Sequence, residues 1–475
     1  MELNKQESFK FYQLKPVVSD WIKKVCSQDL LLTTALENYG SPINIHHVPS
    51  FKNNLLSFKS IFDSFGLKNK IYFARKANKI IAFPEAAFRL NEGIDTASYR
   101  ELAQCLEAGI HSKNLLVTAA VKTKKLLALA LDKEVAVVLD NWDEFHALQQ
   151  MAFERNKSIP VFLRLSGFVV EGKTLHSRFG FSLEEAFEMV KNHFSGPSAL
   201  VHLKFVGFHF HLNGYSIPER AEALLQTAAL IKRCIGLGVK TQILDFGGGI
   251  LINYLKSEKQ WSKFHKASKK SVLNQGPEIT YQNDSLGMAV YQDSILNEPL
   301  VYPYYNEVHS CDFLKEVLSY KDASGTTVAA VLKDLDVEVR IEPGRSLMDQ
   351  AGITVARVCF RKMDTAGNLM VGLEMNRTQL RSSSADFLLD PIHLPQSKVE
   401  EETVAGFLVG GYCLESELIL KRKIAFKSMP QIGDLFVFVN TAGYMMHFYE
   451  SEAHMFELAQ NLIYDSRKNN LTTTV

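Results

Sequence analysis

From about residue 71 the chain alternates between two hydrophobic patterns. Short β-rich runs stand at IYFAR (71–75), EGIDTA (92–97), NLLVT (114–118), EVAVVLD (134–140), IPVFLRL (159–165), LVHLKFVGFHF (200–210), TQILDF (241–246) and DVEVRIE (336–342). Between most of them lie stretches with a helical period. In SYRELAQCLEAGI, apolar side chains recur at Leu102, Cys105, Leu106 and Ile110, close to a 3.6-residue repeat, with Gly109 as a stop. KTKKLLALALDK and WDEFHALQQMAFERN read the same way, and IPERAEALLQTAALIKRCIGLG predicts a longer helix closed by glycines.

Eight apolar strands with interleaved helices predict an α/β fold, a (β/α)8 TIM-type barrel; a doubly wound sheet is the alternative, because periodicity cannot count closure. The stretch from about 255 to 335 does not fit a simple repeat and predicts an insertion before the last strand. After residue 346 the texture changes. ITVARVCFRK, NLMVGLE, ETVAGFLVGGYC and DLFVFVN predict a mainly β C-terminal domain, barrel- or sandwich-like, and SEAHMFELAQNLI (451–463) predicts a helix near its end. The expected organisation is an N-terminal segment (1–45), a barrel (46–345) carrying the insertion at about 255–335, and a β domain (346–475).

Composition narrows the class. The chain has 475 residues, 46% of them apolar and 22% charged, as in an ordinary globular protein with two or three domains. Its charge is 53 − 52 = +1, which argues against a nucleic-acid backbone or an anionic membrane as the main partner. Six scattered cysteines without a C-x-x-C pair predict neither a disulfide framework nor a Cys-rich zinc site, and no metal site is expected. The first residues, MELNKQESFKFYQLKPVV, lack an apolar signal region, and no apolar run reaches the ~18 residues of a membrane span. The expectation is a cytoplasmic protein without membrane contact.

The informative polar residues cluster at the C-terminal ends of the predicted strands, where barrel enzymes place their chemistry. Lys76 follows the first and Asp95 ends the second. Arg164 lies at the fifth, and His209 and His211 at the sixth, with Asn213 and Gly214 beyond. Gly247, Gly248 and Gly249 follow the seventh, and Glu342 and Arg345 the eighth. Three glycines after a strand let the backbone approach an anion closely. Each signal alone has a bland structural reading. Together a lysine, a histidine, a carboxylate and an anion cradle on one rim suggest a Schiff-base cofactor.

The motifs FARKAN, GIDTASYREL, GFHFHLNGYS, LDFGGG, EPGR, GYCLES and NTAGYMM stand in one order along roughly residues 45–450. In this the sequence resembles the group III pyridoxal-phosphate decarboxylases, the relatives of diaminopimelate and ornithine decarboxylases. The resemblance implies pyridoxal 5'-phosphate bound as an internal aldimine on Lys76, with Glu342 facing the pyridine nitrogen and His211 stacked on the ring. It implies that Gly247, Gly248, Gly249, Arg345 and Tyr444 bind the phosphate, and that Asp95 and Arg164 orient the lysine and the ring oxygen. Glu415 matches an acidic residue that reaches the substrate's distal amine across a homodimer with shared active sites. A second implied trait is an N-terminal segment that joins the β domain. MNRTQLRSSS (375–384) is similar to the segment that holds a distal carboxylate, with Arg377 and Arg381 as the two candidates.

Two departures from the pattern stand out. The family's His-x-Gly-Ser is here His211-Leu212-Asn213-Gly214, so a phosphate-binding hydroxyl is missing, with Tyr215 or Ser216 as substitutes. The family's proton-donating Cys directly before the acidic residue is replaced by Leu414, and Cys413 sits one position earlier. A one-residue slip reverses a side chain's facing unless a bulge re-aims it. The resulting expectation is decarboxylation of a diamino acid such as diaminopimelate, or of a related siderophore-type derivative. The alternatives are a racemase or epimerase on the same scaffold, and a cofactor-binding regulatory pseudoenzyme.

Overall fold

The computed structural model describes residues 13–197, 199–382, 387–398 and 400–474. The chain divides into two compact units. One comprises residues 52–251 and 308–347; the other comprises the described parts of 1–51, 252–307 and 348–475.

The first unit is the barrel. Its strands are Asn69–Ala74, Gly93–Thr96, Leu115–Val117, Ala136–Leu139, Ile159–Arg164, Leu203–His209, Ile243–Asp245 and Glu338–Ile341. All pair in parallel, and the last closes on the first to complete an eight-stranded barrel. These are the eight runs that the apolar pattern predicts. Strands buried on both faces read as nearly continuous apolar runs, which is why they stand out in the sequence. The predicted helices are also present, at Tyr99–Glu107, Lys124–Lys133, Trp142–Glu154 and Ile217–Gly236. Ser98, Thr123, Asn141 and Ser216 each cap one of them by accepting a backbone N–H of the first turn. Inside the barrel, Tyr72, Leu116, Val138 and Phe162 form one packed group, so this interior is a core and the open chemistry is left to the strand ends.

Close packing also explains particular glycines. Gly207 lies where a Cβ would stand 1.9 Å from the carbonyl oxygen of Ile243 on the neighbouring strand. Only glycine allows that approach.

The second unit is built on a nine-stranded sheet. Its spine, Gly352–Met363, pairs antiparallel with Leu369–Leu373, with Leu435–Val439 and with Ile43–His46. The strand Ile43–His46 also pairs in parallel with Gln460–Asp465. Trp21, Ile22, Val25, Ile43, Ile45, Ile353, Val437 and Leu462 share one core cluster, so the N-terminal segment is part of this sheet's core. Residues 1–12 of that segment lie outside the described residues.

The stretch 255–335 has two parts: a helix Glu258–Val272 and a short hairpin, Val290–Tyr291 with Ser294–Ile295, fall in the sheet unit, whereas the helices Ser310–Ser319 and Val328–Asp334 fall in the barrel unit. The predicted helix at 451–463 is not formed. Met455 is 93% exposed, and the chain enters the strand Gln460–Asp465 instead. In that strand Leu462 and Tyr464 are buried alternately, a period-two pattern fixed by pairing with Ile43–His46. Helical spacing lost to a sheet edge that needed a partner.

Candidate active site

The barrel unit gathers most of the sequence-predicted residues at one rim. Lys76 sits in a single tight helical turn, Arg75–Ala77, directly after the first strand. Its Nζ lies 3.3 Å from Oδ2 of Asp95. Strand register places Asp95 beside Ala74, the last residue of the first strand. The Thr118 hydroxyl donates to the other Asp95 oxygen. Thr118 carried no signal in the sequence, because a threonine after a strand is common.

Arg164 ends the fifth strand. Its guanidinium lies 3.4 Å from Asp140 and stacks 4.0 Å from the ring of Phe179. Asp140, at the end of the fourth strand, went unremarked in the sequence although it stands at the same rim. The stacking and the ion pair fix a planar donor fork rather than a mobile charge.

Beside these lies a buried polar group. Register puts Asp245 next to His209, and Glu342 follows the eighth strand directly. Nε2 of His209 donates to Oε2 of Glu342 at 3.3 Å. Oδ1 of Asp245 accepts the Gly247 N–H at 2.9 Å. Ligand-capable atoms of His209, Asp245 and Glu342 all lie within 4.8 Å of one another. Burial holds His209 neutral, with its pKa lowered to about 4. Burial, and then the charge of Glu342, raise Asp245 to about 7. Burial raises Glu342 as well, Asp95 adds to the rise, and Lys76 and Arg164 oppose it. Glu342 Oε1 and Asp245 Oδ2 have no hydrogen-bond partner among the described residues. A buried carboxylate oxygen left unpartnered costs about 1–3 kcal/mol, so the site is incomplete without a donor facing Glu342.

The glycine loop follows the seventh strand. Gly247 and Gly249 have positive φ, 71° and 78°, where a side chain is strained. A Cβ on Gly248 would lie 2.5 Å from the Glu342 carbonyl oxygen. The Gly248 N–H donates to Nδ1 of His211 at 3.1 Å. This bond sets the His211 tautomer, with the remaining ring proton on Nε2. Burial keeps that ring well below its ordinary pKa. A cavity of about 130 Å³ opens beside His211, bordered by Ser166, Phe168, His176 and Asn213. Arg345 lies in the turn three residues after Glu342.

The remaining predicted residues belong to the sheet unit. Tyr444 has φ 71° in the turn after the strand Leu435–Val439, its ring 5.8 Å from Phe448. Cys413 is exposed, and Leu414 beside it is 51% exposed. Glu415 is exposed in the same loop. Arg377 is engaged locally: its Nη1 donates to the Ser416 carbonyl at 2.8 Å, and its Nε lies 3.5 Å from Glu417. Arg381 is half-buried, with its backbone N–H donated to Met445. The geometry therefore separates the two arginines that the spacing left equivalent. Ser383 and Ser384 of the same motif lie outside the described residues.

The donor set fits one kind of ligand: an aldehyde for the lysine, a basic ring nitrogen for the unpartnered Glu342 oxygen, and an anion for the glycine loop. This defines a pyridoxal-phosphate enzyme. Comparison with known proteins agrees. Residues 50–280 match the pyridoxal-binding domain of the pyridoxal-dependent decarboxylases. An uncharacterised protein of Sinorhizobium fredii, y4yA, is 29% identical over 434 residues, covering 88% of this chain and 86% of that protein. The diaminopimelate decarboxylase of Campylobacter jejuni is 24% identical over 421 residues, 86% of this chain and 87% of its own. In structure, the diaminopimelate decarboxylase of Helicobacter pylori complexed with L-lysine superposes with a TM-score of 0.67 at 18% identity, over 93% of this chain and 95% of that one. The chain is related to the fold-type III pyridoxal-phosphate-dependent decarboxylases, and its cofactor is pyridoxal 5'-phosphate. No helix among the described residues is long and apolar enough to cross a membrane.

Proposed function

We propose that this enzyme decarboxylates a diamino acid carrying a distal carboxylate, diaminopimelate or a related derivative, in the cytoplasm, as a homodimer with shared active sites. The observation that carries the reading is the pairing of an amine at the barrel rim, Lys76 held by Asp95, with a buried carboxylate oxygen on Glu342 that has no partner among the described residues.

Lys76 attaches the cofactor through its ε-amine. Gly247, Gly248, Gly249, Arg345 and Tyr444 hold its phosphate. When bound, pyridoxal phosphate supplies the electron sink for the pair released as carbon dioxide leaves. Glu342 keeps a proton on the ring nitrogen, which deepens that sink. His209, neutral by burial, anchors one Glu342 oxygen and leaves the other for the ring. Asp95, fixed by Thr118, accepts the Lys76 ammonium hydrogen bond and sets the direction of the amine. Arg164, held by Asp140 and Phe179, presents its donors at the same rim. The neutral His211 ring, fixed by the Gly248 N–H, offers an apolar face for stacking.

Arg381 binds the substrate's distal carboxylate in this reading, since Arg377 is committed to the 416–417 loop. Glu415 meets the distal amine, and Cys413 returns a proton to the α-carbon. Glu342 favours decarboxylation over racemisation, because a carboxylate at the ring nitrogen keeps that nitrogen protonated and so stabilises the charge left by a departing carboxylate. A panel of diamino acids and their acylated derivatives tests the reading. Carbon dioxide release from a substrate with a distal carboxylate supports it. Inversion of the α-carbon without gas release supports the racemase instead.

A further inference from the structure

The helix Ile217–Gly236 carries Arg220 on its first turn. Arg220 is 1% exposed, among the largest fully buried side chains of the described residues. An Arg is seldom buried without a carboxylate, because its charge cannot be shed and an unpaired buried ion is costly. Yet among the described residues no carboxylate lies within ion-pair distance of Arg220. Its hydrogen bonds all go to backbone carbonyls: Gly214 at 3.0 Å, Gly248 at 3.1 Å and Ser216 at 3.5 Å. Its Nε has no partner among the described residues, and Phe313 covers one face at 5.5 Å. A charge so placed calls for a counter-anion, and no described residue provides one.

The two short bonds show what the side chain does locally. In a planar trans peptide the C=O and the following N–H point in opposite directions. With the Gly248 carbonyl held on the guanidinium, the Gly249 N–H is turned away from it, and that N–H has no partner among the described residues. The Gly214 carbonyl likewise turns the Tyr215 N–H outward. Gly249 must be glycine for this packing, since a Cβ there would stand 2.1 Å from Arg220 Nη2. The glycine loop and the 213–216 loop are thus tied together behind one cation, with backbone donors facing the other way. This is also where Gly214 stands in place of the hydroxyl that the resemblance leads one to expect.

We propose that Arg220 is the buried positioning residue of the phosphate cradle. It supplies the positive charge behind the loop and aims the Gly249 N–H at a phosphate monoester, so that the site discriminates phosphorylated from unphosphorylated pyridoxal. The inference rests on the cofactor assignment and adds a residue to it. Burial lowers the Arg220 pKa only to about 10, so the charge persists at neutral pH.

The test uses the full-length apoprotein, with affinities for pyridoxal phosphate and for pyridoxal measured separately and with inorganic phosphate as competitor. For Arg220→Gln the expected result is a loss of pyridoxal-phosphate affinity of about ten-fold or more, the value of a charge-assisted bond. Pyridoxal affinity should change by less than about three-fold. Inorganic phosphate should compete in the wild type and not in the variant. Arg220→Lys keeps the charge without the planar fork and should retain part of the discrimination, so it remains informative where the Gln variant does not fold. Equal losses for the two ligands, or no loss for either, would overturn the proposal by assigning Arg220 a purely structural role. A wild-type protein that binds pyridoxal phosphate no better than pyridoxal would also overturn it. Wild type that binds neither ligand contradicts the cofactor assignment itself, and this inference falls with it.

Discussion

His209 and Glu342, 133 positions apart in the chain, meet in the buried floor of the barrel rim, with His209 Nε2 3.3 Å from Glu342 Oε2. The bond leaves Glu342 Oε1 without a partner among the described residues and so gives the carboxylate a direction. Glu342→Gln keeps the size and removes the charge that holds a proton on the ring nitrogen. We expect turnover to fall by about 10²- to 10³-fold, the scale of losing one preorganised electrostatic group, with cofactor still bound. Steady-state kinetics together with the cofactor's absorbance spectrum check this; unchanged turnover would remove Glu342 from the chemistry.

Gly248→Ala tests the loop rather than the charge. Its Cβ would stand 2.5 Å from the Glu342 backbone oxygen, and neither backbone can yield without moving the carboxylate. Displacements of about 1 Å at a reacting centre cost about 10²-fold in rate. We expect a loss of that order with cofactor affinity also reduced, read by equilibrium dialysis and kinetics on the same preparation.

The two arginines of the 375–384 segment should behave differently. Arg381→Ala is expected to raise KM about ten-fold or more for a substrate with a distal carboxylate, and to leave a substrate without one unaffected. Arg377→Ala releases the 416–417 loop and should lower thermal stability and affect both substrates alike. Identical substrate profiles for the two variants would assign neither arginine to the carboxylate.

The sheet unit makes a prediction about acid. Burial lowers the pKa of His46 from 6.5 to about 4, while its Nε2 donates to Asn461 at 2.9 Å. The unfolded chain therefore binds a proton in the window between these values that the folded chain refuses. The stabilising contribution is whole above pH 6.5 and is lost as pH falls toward 4, up to about 3 kcal/mol at ~1.4 kcal/mol per unit. Asp245 and Asp349, raised to about 7 and about 6 by burial, act in the opposite sense, so wild type alone gives a mixed slope. The difference between wild type and His46→Gln, which keeps a donor toward Asn461, isolates the histidine. Urea unfolding of the apoprotein from pH 7 to 4 should show the variant losing less stability on acidification; parallel curves would contradict the burial argument.

How much of this was legible before the structure follows from the range of each interaction. The eight barrel strands declare themselves because both faces are buried, and Lys76, Asp95, Arg164, His211 and Glu342 because a polar residue at the end of such a run is conspicuous. The strand Gln460–Asp465 was hidden, since its period of two has meaning only once Ile43–His46 lies beside it. Arg220 was invisible for the same kind of reason. Within IPERAEALL it reads as an ordinary solvated arginine, and only the fold shows it packed against Gly248 and Gly214. Thr118 and Asp140 gain their significance from Asp95 and Arg164, partners more than twenty positions away in the chain.

The central claim is that the ε-amine of Lys76 carries the cofactor. Borohydride reduction of the holoenzyme, followed by peptide mapping by mass spectrometry, tests it directly. The account predicts a phosphopyridoxyl group on the peptide containing Lys76, and its absence together with all activity in Lys76→Ala. A label on another lysine, or a Lys76→Ala protein that still traps the cofactor covalently and turns over, would contradict it.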